Sequence, residues 1–197
     1  MYKYYEAARD AAWRTLIACN VKALPVNLGD IANHYSIDIV RYSKCPLTQL
    51  FNPETISGDG FITKITADGN KVVFLNDKIK SYGRRRFTIG HELGHGILNH
   101  PIDVIIPRND EIDSKSDPIE MQANVFSRDI LAPACVLYEI GVTTVEQIMQ
   151  LCDISKTSAE IRLERLNMLR ERGKFYTSPL EIEVRNQFDD FIKANKL

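Results

Sequence analysis

The segment His91-Glu92-Leu93-Gly94-His95 contains residue types that can carry out metal-assisted chemistry. If the segment is helical, His91 and His95 lie one turn apart on the same face, and Glu92 lies about 100° round the axis from His91. Two neutral imidazoles in this arrangement can share one Zn²⁺, and the carboxylate between them can take a proton from water. The chain has only 4 histidines in 197 residues, so a chance match is rare. The pattern therefore predicts a zinc site that supports hydrolysis.

A catalytic zinc site also needs a third protein ligand and an open position for water. In a metzincin this ligand is a histidine six residues after the second motif histidine, but Pro101 occupies that position. His100 lies five residues after His95, about 140° round a continuous helix, and is a poor ligand unless the helix breaks. Carboxylates remain as the source of the third ligand.

Glu120 is the carboxylate that we expect to complete the site, because it shares a predicted helix with Ala123 and Asn124. A small residue such as Ala123 lets helices approach closely, and the Asn124 amide can accept the second N–H of a ligand imidazole. Glu120 also lies three residues after Asp117, so a capping box is an alternative role for it. The other carboxylates that remain open as third ligand are Asp113, Glu111 and Asp117.

The helix that carries the two histidines is predicted to begin near residues 82–84 and to end near Asn99. Arg84, Arg85 and Arg86 stand at its N-terminus, where the helix dipole disfavours cations, and each interior glycine costs about 1 kcal/mol relative to Ala. We expect the metal, and close approach by the hairpin and by the Glu120 helix, to compensate at Gly90, Gly94 and Gly96. The arginines either form a solvated face or contact substrate or carboxylates.

A small antiparallel sheet is predicted beside this helix. Residues 61–66 and 71–76 have the composition of strands, and the Ala-Asp-Gly-Asn sequence at 67–70 is a strong hairpin signal. Residues 36–42 alternate in the manner of another strand. An edge strand can bind an extended peptide by strand addition, although a purely structural hairpin fits the pattern equally well.

Helical patterns account for most of the remaining chain. Residues 142–172 have a helix-turn-helix outline, with capping boxes expected at Thr143 with Glu146 and at Thr157 with Glu160. The other predicted helices cover residues 2–19, 28–35, 119–131 and a segment that begins near 178. We therefore expect a catalytic domain at residues 1–141 and a C-terminal helical lobe at residues 142–197.

Two polar segments are predicted to be loops. Residues 43–57 contain Pro46, Pro53 and a Ser-Gly pair, and form a surface loop in this interpretation. Residues 108–117 form an acidic linker, which is either an exposed loop or a cover for the catalytic cleft.

Composition argues against several classes of function. The chain has 25 Lys and Arg against 26 Asp and Glu, and a net charge of −1 gives no global attraction to nucleic acid or anionic lipid. Its 4 cysteines are widely spread, which indicates free thiols rather than a disulfide framework or a cysteine zinc knuckle. The N-terminus lacks an apolar signal core, and no run of about 18 apolar residues occurs. These features predict a soluble cytoplasmic protein.

The motifs together resemble the ImmA/IrrE family of zinc metalloproteases. The resemblance rests on Arg85 to His95, on the Glu-x-x-Ala-Asn-x-Phe pattern at 120–126, and on Leu-Ala-Pro at 131–133, and it covers most of residues 10–170. It implies that His91, His95 and Glu120 are the zinc ligands and that Glu92 is the general base, in a site of the gluzincin type. The chain departs from the family pattern, without losing a ligand or the base, at Gly90 (usually Ala), Gln122 (often Glu) and Ala132 (often Met).

The resemblance implies an α+β, zincin-like minimal metalloprotease that is mainly helical and carries a C-terminal helix-turn-helix-like lobe. Members of the family often cleave a helix-turn-helix repressor encoded beside them, so such a repressor is the expected protein substrate, and its cleavage would release a mobile-element or stress regulon. The alternative is a non-proteolytic, zinc-containing regulator that binds the repressor or DNA. Acidic residues in 142–172 offset the basic ones, which argues against direct DNA binding. The basic residues are Lys156, Arg162, Arg165, Arg170 and Arg172.

Overall fold

Most of the chain folds into helices, and one small sheet lies against them. The computed structural model describes residues 2–45, 58–64, 69–102 and 117–197. In chain order, the elements are α1 (Tyr2–Ala18), α2 (Leu28–His34), β1 (Ile37–Arg41), β2 (Gly60–Lys64), β3 (Lys71–Leu75), α3 (Tyr82–Ile97), α4 (Pro118–Leu131), α5 (Ala134–Ile140), α6 (Val145–Cys152), α7 (Lys156–Glu171), α8 (Pro179–Gln187) and α9 (Asp189–Ala194), with a short 3₁₀ turn at Tyr42–Lys44. The α+β class expected from the sequence is confirmed.

Within the described residues, the sheet has three strands in the order β1-β3-β2. Strands β2 and β3 pair antiparallel, with Phe61 opposite Phe74, which confirms the predicted hairpin. Strand β1 pairs parallel to β3, with Ile39 opposite Val73, so the sheet is mixed rather than purely antiparallel. The predicted turn at 67–68, the loop at 46–57 and the linker at 108–116 lie outside the described residues.

Helix α3 lies between the sheet and α4, and its glycines stand where these neighbours come closest. A Cβ atom added to Gly90 would lie 2.6 Å from Ser127 Oγ, and one added to Gly94 would lie 3.1 Å from the Phe126 ring. On the opposite side, a Cβ atom at Gly96 would lie 2.8 Å from Ile62 Cδ1 in β2. The expected close approach of the hairpin and the Glu120 helix is therefore confirmed.

Capping groups hold both ends of α3. At the N-terminus, the Ser81 hydroxyl accepts a hydrogen bond from the backbone N–H of Arg84. At the C-terminus, the Lys71 ammonium group donates to the carbonyl of Gly96 and, at 3.1 Å, to Asn99 Oδ1. A cation at this end also complements the helix dipole. Lys71 belongs to β3, so this contact attaches the sheet directly to the helix.

The three arginines at the start of α3 have different surroundings. Arg84 is exposed, and its guanidinium donates to the Asp59 carboxylate at 2.7 and 2.9 Å. Arg85 donates to a backbone carbonyl in the preceding turn. Arg86 is 7% exposed and donates to the Val26 carbonyl at 2.8 Å. Arg84 is therefore both exposed and in contact with a carboxylate, whereas Arg86 fixes α3 against the segment that precedes α2.

The C-terminal helices have the predicted helix-turn-helix outline but different caps. The capping box of α6 is formed by Thr144 and Gln147, and the N-cap of α7 is Ser155. The expected boxes, Thr143 with Glu146 and Thr157 with Glu160, are wrong by one or two residues. The sequence reading also missed α5, a seven-residue helix that ends at Gly141 with a φ of 90°.

The arginines of α7 and of the turn after it do not form one exposed basic stripe. Arg162 is 1% exposed and its guanidinium contacts Asp129 at 2.8 Å. Arg165 lies over the Tyr5 ring, and Arg170 donates to the Val142 carbonyl. Three of the cations in the predicted helix-turn-helix segment are therefore engaged with the protein itself.

One hydrophobic core runs through residues on both sides of position 141. Trp13, Leu93 and Phe126 belong to the same buried cluster as Leu166 and Phe188. The division into 1–141 and 142–197 stays a prediction. No helix within the described ranges combines the length and the apolar composition needed to span a membrane.

The four cysteines are free thiols, as the sequence predicted. Cys135 and Cys152 are both fully buried in the core. Burial raises the pKa of each of these two thiols to about 12, so both remain protonated at neutral pH. Neither thiol is therefore available as a nucleophile or as a metal ligand.

Candidate metal centre

Two imidazoles and one carboxylate meet where α3 and α4 cross. His91 Nε2 and His95 Nε2 lie 3.0 Å apart, as the one-turn spacing on α3 predicts. Glu120, in the first turn of α4, places Oε2 at 3.1 Å from His91 Nε2 and Oε1 at 3.5 Å from His95 Nε2. Within the described part of the chain, this is the group of three His, Cys, Asp or Glu side chains close enough to hold a metal ion.

The donor atoms have the chemistry and spacing that zinc requires. Tetrahedral zinc with bonds of about 2.0–2.1 Å separates its ligand atoms by about 3.4 Å, which is close to the observed spacings. Two imidazole nitrogens and one carboxylate oxygen also match the ligand set of catalytic zinc sites that keep one position open. The residues present therefore fit a zinc ion.

Helix α4 carries Glu120 to this position because its start is well defined. The Asp117 side chain accepts a hydrogen bond from the N–H of Ile119 at 2.8 Å, and Pro118 occupies the first turn. The Asp117 carboxylate thus caps the helix, while the Glu120 carboxylate faces the histidines. Two other carboxylates left open by the sequence, Glu111 and Asp113, lie outside the described residues.

Each histidine has a polar partner on the ring nitrogen that points away from the centre. Asn124 Oδ1 lies 3.0 Å from His91 Nδ1, and this carbonyl oxygen accepts the Nδ1 proton. His100 Nδ1 lies 3.0 Å from His95 Nδ1. The structure thus brings the predicted amide acceptor to His91 and gives His95 a neighbour that the sequence reading did not assign.

The environment affects the two histidines differently. Burial alone would lower the pKa of His91, but the Glu120 carboxylate, the Glu92 charge and the Asn124 amide together raise it. Burial is the largest influence on His95 and lowers its pKa, even though Glu120 acts in the opposite direction. A lowered pKa keeps the imidazole of His95 neutral, which is the form that binds a metal.

Glu92 is buried next to the centre. Glu92 is 3% exposed, and its negative charge helps to raise the pKa of His91. A carboxylate in such a position is protected from bulk water and close to the atoms that would hold a metal. This environment is consistent with proton transfer at the centre.

A developing oxyanion needs a second donor besides the metal, and the sequence offers Tyr82, Arg84, His100 and Tyr138 as candidates for it. The surroundings of these four residues differ. Tyr138 stacks on Phe175 at 3.9 Å between ring centroids. The Tyr82 ring lies against two arginine side chains, and Arg84 pairs with a carboxylate. Among the contacts of the described residues, His100 is the member of the four that touches a histidine of the metal centre.

An apolar groove of about 540 Å³ lies between α3, α4 and α7, and its lining includes Asn124, the hydrogen-bond partner of His91. Phe87 and Asn124 both line it, and the Phe87 ring centroid lies 6.4 Å from that of His91. Ile161, at the far side, is 54% exposed. The groove therefore lies next to the Asn124 and Phe87 neighbours of His91, and its volume is enough for one or two side chains of a bound peptide.

Comparison with protein families identifies one clear relationship. Residues 36–164 match the peptidase family M78, described as the IrrE N-terminal-like domain. The matched range includes the sheet, both helices of the metal centre and the first part of α7. No match was found among curated proteins.

Proposed function

Because the chain belongs to the M78 peptidase family of IrrE N-terminal-like domains, we propose that it is a zinc-dependent endopeptidase that cleaves a helix-turn-helix repressor. The observation that carries the proposal is the meeting of His91, His95 and Glu120, with ligand atoms 3.0 to 3.5 Å apart. Membership of a peptidase family makes a protein substrate the natural partner of this centre.

In this proposal the Nε2 atoms of His91 and His95 and the carboxylate of Glu120 would hold the zinc ion. Bound zinc supplies Lewis-acid chemistry, which lowers the pKa of water and polarises a peptide carbonyl. Glu92 accepts a proton from the attacking water and later returns it to the leaving amine. Asn124 holds His91 in the tautomer that turns Nε2 toward the centre.

Two surfaces near the centre are suited to hold a substrate. Strand β2 has a single neighbour, β3, among the described strands, so an extended peptide could pair with its other edge. The apolar groove lined by Phe87 and Asn124, two neighbours of His91, would take an apolar side chain of the substrate. Main-chain hydrogen bonds to β2 would bind peptides of many different sequences equally well. The apolar groove would distinguish among these peptides by their side chains.

The direct test mixes the protein with a helix-turn-helix repressor encoded next to it. The expected result is two new fragments whose masses, measured by mass spectrometry, add up to the intact repressor plus one water. The proportion of fragments should rise with time and with enzyme concentration. A stable, uncut complex that contains zinc would instead support a non-proteolytic regulator.

Removal of zinc is expected to lower the melting temperature by about 10 °C. Zinc at about 1,000 times its Kd stabilises a folded protein by about 4 kcal/mol, and each kcal/mol is worth about 2–4 °C in a chain of this size. Differential scanning calorimetry with and without a chelator measures the shift. A Glu120→Gln variant is the control, because it should show a smaller chelator effect. An unchanged melting temperature of the wild-type protein would contradict a metal centre between α3 and α4.

A further inference from the structure

His100 is folded back against His95, although a continuous helix would carry it away. Helix α3 ends at Ile97, and Asn99 adopts a left-handed conformation with a φ of 54°. This turn lets the His100 N–H donate to the His95 carbonyl at 3.1 Å. The two side chains then meet with their Nδ1 atoms 3.0 Å apart. The helix therefore breaks before His100, and this break is what lets the His100 side chain reach the metal centre.

The proton positions of this contact follow from the geometry of the centre. His95 turns Nε2 toward Glu120, so a neutral His95 that binds metal there carries its proton on Nδ1. That N–H points at His100 Nδ1, which must then be the acceptor. His100 consequently carries its own proton on Nε2, and Gln122 Oε1 lies 3.4 Å from this atom. One arrangement of protons therefore gives His95, His100 and Gln122 a hydrogen bond each.

We propose that His100 and Gln122 are positioning residues of the metal centre, which hold His95 in the tautomer and orientation that present Nε2 to the metal. The inference rests on the proposed function. Ligand histidines usually donate their second N–H to a carboxylate, a backbone carbonyl or water. In this chain the Asn124 amide accepts the second N–H of His91. The His100 imidazole accepts that of His95, and the Gln122 amide in turn accepts the N–H of His100.

The arrangement also connects the two helices of the centre a second time. His100 is held by the end of α3, whereas Gln122 lies on α4, two residues after Glu120. A shift of α4 would therefore disturb the carboxylate ligand and the support of His95 together. This contact gives Gln122 a role at the metal centre, whereas the proposed peptidase mechanism assigns it none.

The test is zinc affinity, measured by competition with a chromophoric chelator. His100→Leu, which removes the acceptor, should weaken zinc binding by about 10–100-fold. His100→Asn places an amide oxygen near the position of Nδ1 and should recover most of the affinity. His34→Leu is the control, because His34 is exposed on α2 and its removal should leave the affinity unchanged.

A second pair of variants tests the inference without changing His100. Gln122→Leu removes the acceptor of the His100 Nε2 proton and should weaken zinc binding less than His100→Leu does. Gln122→Glu keeps an acceptor and should hold the affinity at or above the wild-type value. Melting temperatures of the zinc-free variants show whether each one folds, and the absorption bands of bound cobalt(II) report the ligand geometry.

Equal zinc affinities for wild type, His100→Leu and Gln122→Leu would overturn the inference. Equal losses for His100→Leu and His100→Asn would also overturn it, because packing rather than an accepted proton would then explain the effect. In both cases a wild-type protein that binds zinc and cuts its repressor would leave the proposed function intact. A wild-type protein that binds no zinc would remove both.

Discussion

Under the proposed function, a Glu92→Gln variant is expected to cleave a helix-turn-helix repressor about 10²–10⁴-fold more slowly than the wild-type protein, while it still binds zinc. Glutamine has the same shape as glutamate, so the buried position on α3 can be filled without repacking. It cannot accept a proton from water at neutral pH, and it cannot return one to the leaving amine. The three proposed zinc ligands are unchanged, so metal content should remain close to one ion per chain.

The measurement compares initial rates of repressor cleavage and zinc content in the same preparations. Glu164→Gln provides the matched control, because Glu164 is an exposed glutamate on α7 and its loss should leave the rate unchanged. Cleavage by Glu92→Gln at the wild-type rate would show that Glu92 is not the base. A loss of zinc together with activity would show instead that Glu92 supports metal binding.

An Arg162→Leu variant is expected to lose about 3–5 kcal/mol of the free energy of unfolding at pH 7. Arg162 is 1% exposed, and its guanidinium donates to Asp129 at 2.8 Å and to the Ala132 carbonyl at 2.5 Å. Leucine leaves the buried Asp129 carboxylate with Arg128 as its remaining cationic partner and leaves the Ala132 carbonyl without this donor. Such a loss is a large fraction of the roughly 5–15 kcal/mol that stabilises a typical protein.

Urea denaturation measures this difference, and Lys156→Leu is its control. Lys156 forms an exposed pair with Glu160 at 4.0 Å on the same helix, and its loss should change stability by less than about 1 kcal/mol. A similar small change for Arg162→Leu would mean that the Arg162 and Asp129 pair contributes little to folding.

The same pair predicts how stability depends on pH. Burial alone would raise the pKa of Asp129, but Arg128 and Arg162 lower it below the ordinary value. A carboxyl group with a lowered folded-state pKa stabilises the protein above its unfolded pKa of about 4, and this stabilisation is lost as the pH falls through the folded pKa. The wild-type protein should therefore lose stability in acid, and Arg162→Leu should show a weaker dependence over the same range.

The core of the site could be predicted from sequence because its spacing follows from helix geometry. The interval between His91 and His95 is one helical turn, and Pro101 excluded a third histidine of the metzincin kind. Glu120 and Asn124 are also one turn apart, so the expected ligand and amide acceptor reach one centre from α4. Local periodicity places the two members of each pair on one helix face, whereas the choice of Glu120 over the other carboxylates relied on the family resemblance.

The remaining features depend on contacts between distant segments or on single backbone angles. The alternation of residues 36–42 indicated a strand, but alternation carries no information about pairing direction, so the parallel pairing of β1 with β3 was not predictable. The role of His100 depended on one left-handed residue, Asn99, and Asn tolerates that conformation without requiring it. Arg162 was counted among surface charges because its partner, Asp129, lies 33 residues earlier in the chain.

The core shared by the two parts of the chain has a consequence for dynamics. A hinge between domains needs a boundary where few buried side chains interlock. Many buried side chains interlock across position 141, because Leu166 and Phe188 are buried with Trp13 and Leu93 in one cluster. We therefore expect the helices after Gly141 to move with the peptidase body rather than to swing away from it. A signal that controls this enzyme would then have to act at the cleft itself, on side chains or on substrate access.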